Sequence, residues 1–287
     1  MVRVTPERKR IRWTAALVLV GLAGVGVAVV AYVTSPLGEE PTTNGAVPAA
    51  KIRVPMFVDP SLVRATPRFR FTFDPPEALA ALRSEERLDA QVDGSRSDLD
   101  RCTRLMAWTR RQWEPGVPSP YPPLDARIIL RDIRRGFTGG FCAQYNYVLA
   151  QSLQSLGIPA RYVSVVEHEV IEARLADEAR WICLDPLYDT YYTDESGRAL
   201  SVHEIHARLS QGRPVEVSSS GRITDPRRHL EAFRSFAVWL KNDHISSPIN
   251  FTDLERYKVY FLDGLTPEAR TPPGALTTDQ PIDLYPG

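Results

Sequence analysis

At Gly157–Pro159 the apolar rhythm of this chain changes from the period of a helix to that of a strand, which excludes an all-helical and an all-strand fold alike. On the amino-terminal side, Cys142 through Leu156 carries Tyr145, Leu149, Ser152, Leu153 and Leu156 along one helical stripe. Gly157 fits the position just past a helix end, and Pro159 stops any continuation. On the other side, "ARYVSVVEHEVIEARL" has the β-branched content of a strand, and "ADEAR" makes a short connection. "RWICLDP" is then a second strand closed by Pro186, and the two strands are expected to pair as an antiparallel hairpin.

The flanking sequence supports a mixed fold. "RFRFTFD" from Arg68 alternates like a half-buried strand, and Glu77–Leu88 reads as a short helix. "SRSDLDRCTRLMAWTRRQW" is a helix capped near Ser97, with Leu99, Cys102, Leu105, Met106 and Thr109 on one face. Glu114–Asp125 holds five prolines in twelve residues and must be loop. "YKVYFLD" reads as a strand, "FRSFAVWLKND" fits either element, and the Pro- and Thr-rich stretch from Gly264 reads as loosely ordered. Helices packed beside an antiparallel sheet make the fold class α+β.

Trp13 to Val33 holds no charge across 21 positions, and as a helix it would be about 30 Å long, the thickness of a bilayer's hydrocarbon core. Five basic residues and one acid in residues 1–34 place the amino terminus in the cytoplasm. A cleaved signal peptide would have a shorter apolar region and a small-x-small site, which "AYVTSPLG" does not supply. The expected organisation is therefore a cytoplasmic basic tail over 1–12 and a transmembrane anchor over 13–33. A linker over 34–55, one extracytoplasmic domain over 56–263 and a tail over 264–287 follow. Beyond residue 34 there are 30 basic and 34 acidic side chains, with none of the concentrated basic charge that nucleic acid requires.

Cys102, Cys142 and Cys183 are too few for a disulfide framework and show no metal-ligand spacing. Cys142 stands apart because it opens a helix one residue after Gly139 and Gly140. The first turn of a helix has unpaired N–H groups and the positive end of the dipole, both of which favour a thiolate. Alternation along the strands puts His168 with Val170 and Glu172, and Asp185 with Trp181 and Cys183. A hairpin can thus bring His168 and Asp185 together, with the Cys142 helix packed against that surface. Each residue alone has a commoner explanation: a small buried cysteine, a satisfied histidine, a turn-forming Asp-Pro. Their order and contexts carry the catalytic reading, in which Asp185 orients His168 and His168 takes the Cys142 proton.

The run "GGFCAQYNYVLAQSLQSLGIPARYVSVV", then His168, then "WICLDP", resembles the transglutaminase-like superfamily. The shared features are a cysteine opening a helix, an LGIPAR turn into a strand, a histidine, and a W-x-x-x-D-P strand. The resemblance is strong over Gly139–Pro186 and extends from about Leu79 to Leu209, with "LSVHEIHARLSQG" similar to bacterial members. It implies a papain-like core with Cys142 as nucleophile, His168 as base and Asp185 as orienting acid. It also implies an enzyme that cleaves or transfers amide acyl groups through a cysteine thioester, on protein, peptide or cell-envelope substrates, with no metal or organic cofactor. The alternative is a catalytically silent binding or scaffold module for cell-envelope partners. Two departures stand out: Glu169 and Val170 follow the histidine where many members have Ala-Trp, and no papain-like Gln precedes the cysteine. A second oxyanion donor would then be an indole of Trp108 or Trp113, residues whose commoner role is packing. "HEIH" (His203–His206) has the wrong spacing for zinc, and His229 and His244 read as surface or turn residues.

Overall fold

The computed structural model describes residues 67–218, 222–264 and 271–286. The expected tail, anchor and linker over 1–55 lie outside these residues. Among the described residues no helix is long and apolar enough to cross a membrane.

Ten strands and eight α-helices alternate along the described chain, and the architecture is α+β. Strands β2 (Ala160–Val165), β3 (His168–Leu175), β4 (Arg180–Asp185), β5 (Thr190–Thr193) and β6 (Glu216–Ser218) run as a meander. Strands β7 (Phe236–Trp239), β9 (Lys258–Phe261) and β10 (Leu276–Thr278) add to the free edge of β2, giving the order β10-β9-β7-β2-β3-β4-β5-β6. Every pairing in this sheet is antiparallel except β9 with β10. β1 (Thr72–Phe73) and β8 (Lys241–Asn242) form a separate parallel pair, so the expected strand at Arg68 is confined to two residues.

The run read as a single strand is itself a hairpin. Val165 pairs with His168 across a two-residue turn at Val166 and Glu167, where Glu167 sits at φ 57. No Gly, Asn or Asp marks this turn, so pattern alone shows one continuous apolar run. The turn makes His168 the first residue of its strand. A helix not anticipated, α4 (Ala126–Arg134), follows the Pro-rich loop, its start capped by the Asp125 carboxylate accepting from the Arg127 and Ile128 N–H groups.

Helix α5 (Cys142–Ser155) is buried on nearly all sides, between the sheet and helices α1 (Ala80–Glu85), α3 (Asp98–Arg110) and α4. Its polar residues are therefore used as ties. Gln151 accepts from the Ala126 N–H at 2.8 Å and donates to the Leu124 carbonyl at 2.9 Å. Gln154 donates to the carbonyls of Ala160 and Asn242. Gly157, at φ 80, closes the helix as the sequence implied. At the start of α3, Ser97 accepts from the Asp100 N–H, and the buried Asp98 carboxylate receives the Ala176 N–H of the β3–β4 turn.

The sheet is covered on both faces, and strand alternation sorts the two core layers. Tyr162, Ile171, Ala173, Ile182 and Leu184 face the layer that holds α1, α3, α4 and α5. Val163, Val170, Cys183 and Tyr192 face a second layer with Phe233, Phe236 and Leu284. His168 and Asp185 share the parity of the second layer, so α5 packs on the face opposite to the one expected and meets them at the strand ends. The stretch from Gly264 is not loose over 271–286: it supplies β10 and helix α8 (Pro281–Leu284), with Asp283 and Leu284 buried. Arg161 and Glu172, both fully buried, hold it. Arg161 donates twice to one Glu172 oxygen (2.9 and 2.7 Å) and once to the Leu284 carbonyl, while the Tyr285 hydroxyl donates to the other Glu172 oxygen.

Candidate active site

The approach to Cys142 is fixed by two segments laced together. The Gly116 N–H donates to the Gly140 carbonyl at 2.9 Å, and the Trp113 indole N–H donates to the same carbonyl at 3.1 Å. Trp113 also stacks on Tyr145 at 4.0 Å between ring centroids, and the Tyr145 hydroxyl donates to the Trp113 carbonyl. The Trp113 indole therefore holds the backbone before Cys142 and is not aimed at a substrate, and Trp108 is buried in the core. A Cβ on Gly139 would lie 2.6 Å from the Val117 carbonyl oxygen and 2.9 Å from the Gly116 carbonyl carbon, both backbone atoms. Gly139→Ala is expected to push these segments apart, costing about 1–3 kcal/mol in melting experiments, the usual cost of overpacking, and slowing reaction at Cys142.

Cys142 is the first residue of α5 and is partly exposed. Phe141 supplies no side-chain cap; instead the Gln144 side chain accepts the Phe141 N–H at 3.1 Å. The first-turn N–H groups beside the sulfur are thus left pointing out of the helix. The segments leading to it carry the exposed side chains of Val117, Tyr121, Phe137 and Phe141. Tyr121 is close enough to Gln144, Glu169 and Cys142 for all three to act on its hydroxyl.

His168 Nε2 lies 2.7 Å from Asp185 Oδ2, and Asp185 is fully buried. Cys142 is close enough for its side chain to act on the imidazole. Burial opposes a charged imidazole here, but the Asp185 carboxylate, its hydrogen bond and the Cys142 side chain outweigh it, holding the His168 pKa well above its ordinary value. Because the folded pKa is the higher one, the stabilisation is complete below the unfolded value near 6.5 and is lost as pH rises through the raised pKa. Asp185→Asn is expected to flatten that alkaline decline in melting temperature, measured across neutral to alkaline pH.

Two further residues reach the same carboxylate. The hydroxyl of buried Tyr192 is 3.5 Å from Asp185 Oδ2 and 2.6 Å from His229 Nε2, and His229 Nε2 is 3.7 Å from Asp185 Oδ2. His229 is therefore not a surface residue, as its sequence context suggested. His244 is not one either: it is buried among the rings of Tyr147, Tyr162 and Trp239, and burial lowers its pKa to about 4. The signal for Tyr192 was the alternation of "TYYT", since β5 pairs Thr190 with Asp185 and puts Tyr192 on that face. No local pattern marks His229, which arrives on the short helix α7 (Pro226–Leu230).

Other residues take structural places. His206 engages the Phe233 carbonyl (3.0 Å) and Asp263 (2.7 Å). Cys102 and Cys183 are free, buried and in opposite core layers, and burial pushes both thiols up. Burial likewise pushes up the carboxyl of Glu169 beside His168. Cavities of about 410 and 380 Å³ lie along Pro248–Tyr257 and between Pro122–Ile128 and His244–Asn250, away from the Cys142 sulfur.

Residues 86–186 match the family model described as the transglutaminase-like superfamily. No curated protein and no solved structure matches the chain. Cys142, His168 and Asp185 all fall inside the matched segment, on the cysteine-led helix and the two strands just described. That segment of the chain is similar to the transglutaminase-like superfamily core.

Proposed function

We propose that this protein is a cysteine acyl-transfer enzyme acting on amide bonds, with Cys142 as nucleophile, His168 as base and acid, and Asp185 as the orienting carboxylate. The observation that carries this reading is the His168 imidazole held by Asp185 at Nε2, with Cys142 close enough to act on the same ring. Binding Asp185 through Nε2 leaves Nδ1 for the thiol. The thiol proton passes to Nδ1 and the sulfur attacks the amide carbonyl. The tetrahedral oxyanion meets the Cys142 N–H at the helix start, and Tyr121, whose hydroxyl is within electrostatic reach of Cys142, is a candidate second donor. Collapse expels the amine, which takes the proton from His168 and leaves a thioester on Cys142. Water then gives hydrolysis, and an incoming amine gives transamidation.

The membrane anchor over 13–33 places this chemistry outside the cytoplasm in the same reading, close to cell-envelope proteins or peptides. A direct test uses p-nitrophenyl acetate as a generic acyl donor and intact-mass detection of the product. Acetylation confined to Cys142, discharged by hydroxylamine and partitioned between water and an added alkylamine, is the expected result. If Cys142 acetylates no faster than it does in the denatured chain, the domain is a silent scaffold.

A further inference from the structure

Asp185 is held through one oxygen only. Its Oδ1 is buried and has no hydrogen-bond partner among the described residues, so every restraint on the carboxylate acts at Oδ2. A carboxylate tied to a single imidazole can rotate about its Cβ–Cγ bond, carrying the imidazole with it. From the arrangement around Oδ2 we infer that Tyr192 and His229 are positioning residues of this site, a relay that fixes Asp185 and through it His168. The inference rests on the acyl-transfer reading only for its effect on rate.

The distances decide how the protons run. Tyr192 has one hydroxyl proton and two neighbours, His229 Nε2 at 2.6 Å and Asp185 Oδ2 at 3.5 Å. If the proton went to His229, the hydroxyl lone pairs would face a buried carboxylate. If His229 Nε2–H donates to the Tyr192 oxygen, the hydroxyl proton is aimed at Asp185 and both contacts are favourable. Burial disfavours the charged form of His229, so this relay needs only the neutral ring with its proton on Nε2. Asp185 then accepts from Tyr192 on one side and His168 on the other.

The relay is braced by rings. Phe233 packs edge-on against Tyr192 (4.8 Å) and His229 (6.1 Å), and Tyr188 lies edge-on to both imidazoles, 5.8 Å from His168 and 5.0 Å from His229. Tyr192 and His229 therefore have little freedom to turn away from Oδ2. Among the described residues no other group bonds the Tyr192 hydroxyl, which would otherwise be a buried polar group at a cost.

The test uses the full chain carrying Tyr192→Phe, His229→Leu or His229→Gln, alkylated with iodoacetamide across pH 5–9, with labelled peptides identified by mass spectrometry. Cys102 and Cys183 stay unlabelled in any variant that keeps its fold. Tyr192→Phe and His229→Leu are expected to slow Cys142 alkylation by about tenfold near neutral pH, equivalent to one lost hydrogen bond of about 1.4 kcal/mol. His229→Gln, which can still donate to Tyr192, is expected to recover most of the rate, a rescue that mere packing would not give. Where wild-type Cys142 is reactive, rates and pH profiles unchanged in both disruptive variants would overturn the inference. A second readout does not depend on reactivity: the hydrogen-bonded His168 Nε2 proton should resonate far downfield in the proton NMR spectrum. It should be kept in His229→Gln and be shifted or exchange-broadened in the other two. An unreactive wild-type Cys142 with that resonance behaving as stated would remove the acyl-transfer reading and leave the relay standing; an unaltered resonance in all variants would remove the relay.

Discussion

Cys142→Ala is expected to eliminate acyl transfer, with a loss on the order of 10⁴- to 10⁶-fold, while leaving the fold intact. The magnitude follows from the role: losing a covalent nucleophile removes the reaction path, and only oriented binding and oxyanion stabilisation remain. The stability expectation follows from position. Cys142 is partly exposed at the first turn of α5, and its side chain is not part of either core layer. Truncating it opens no enclosed cavity, so melting should move by less than about 1 kcal/mol. The p-nitrophenyl acetate assay and a melting curve measured together check both halves. Lost activity with lost stability would mean that Cys142 is a packing residue.

The reverse pattern is expected at Glu172. Its carboxylate is fully buried and takes two hydrogen bonds from Arg161, one from the Val202 N–H and one from the Tyr285 hydroxyl. The Arg161 guanidinium lies against the rings of Trp181 (4.0 Å), Phe71 (4.6 Å) and Tyr285 (4.7 Å). Glu172→Ala would leave that guanidinium charged and unpaired in the core, at a cost of about 3–5 kcal/mol. For a domain of this size the melting temperature should fall by roughly 10 °C. Residues 271–286 should also gain proteolytic sensitivity, because Arg161 and Glu172 are what bind Leu284 and Tyr285. Replacing both charges, Arg161→Met with Glu172→Leu, should cost less than the two single changes added together, since no buried charge is then left alone.

Local pattern revealed the parts of this molecule that depend on neighbours in sequence. The Cys142 helix, its Gly157 stop and the Ser97 cap are set by short-range chemistry, and the structure has all three. Strand alternation was enough to put His168 and Asp185 on one face. It could not show that Val166–Glu167 is a turn, because a glutamate at φ 57 is fixed by the pairing of β2 with β3 and carries no sequence mark. The face on which α5 packs was equally hidden, since both faces of the sheet are apolar. The carboxyl-terminal stretch looks poor in apolar residues, yet it is held through polar contacts from Arg161 and Glu172 that composition does not weigh. His229 reaches Asp185 only through the tertiary fold, from a helix too short to show a period.

The measurement closest to the central claim is the alkylation rate of Cys142 at pH 7 in the wild-type chain and in His168→Ala. If Cys142 and His168 work as a nucleophile and base, Cys142 should react at least about tenfold faster than a free small-molecule thiol, and His168→Ala should remove that advantage. A Cys142 that reacts no faster than the free thiol, at a rate indifferent to His168→Ala, would contradict the account.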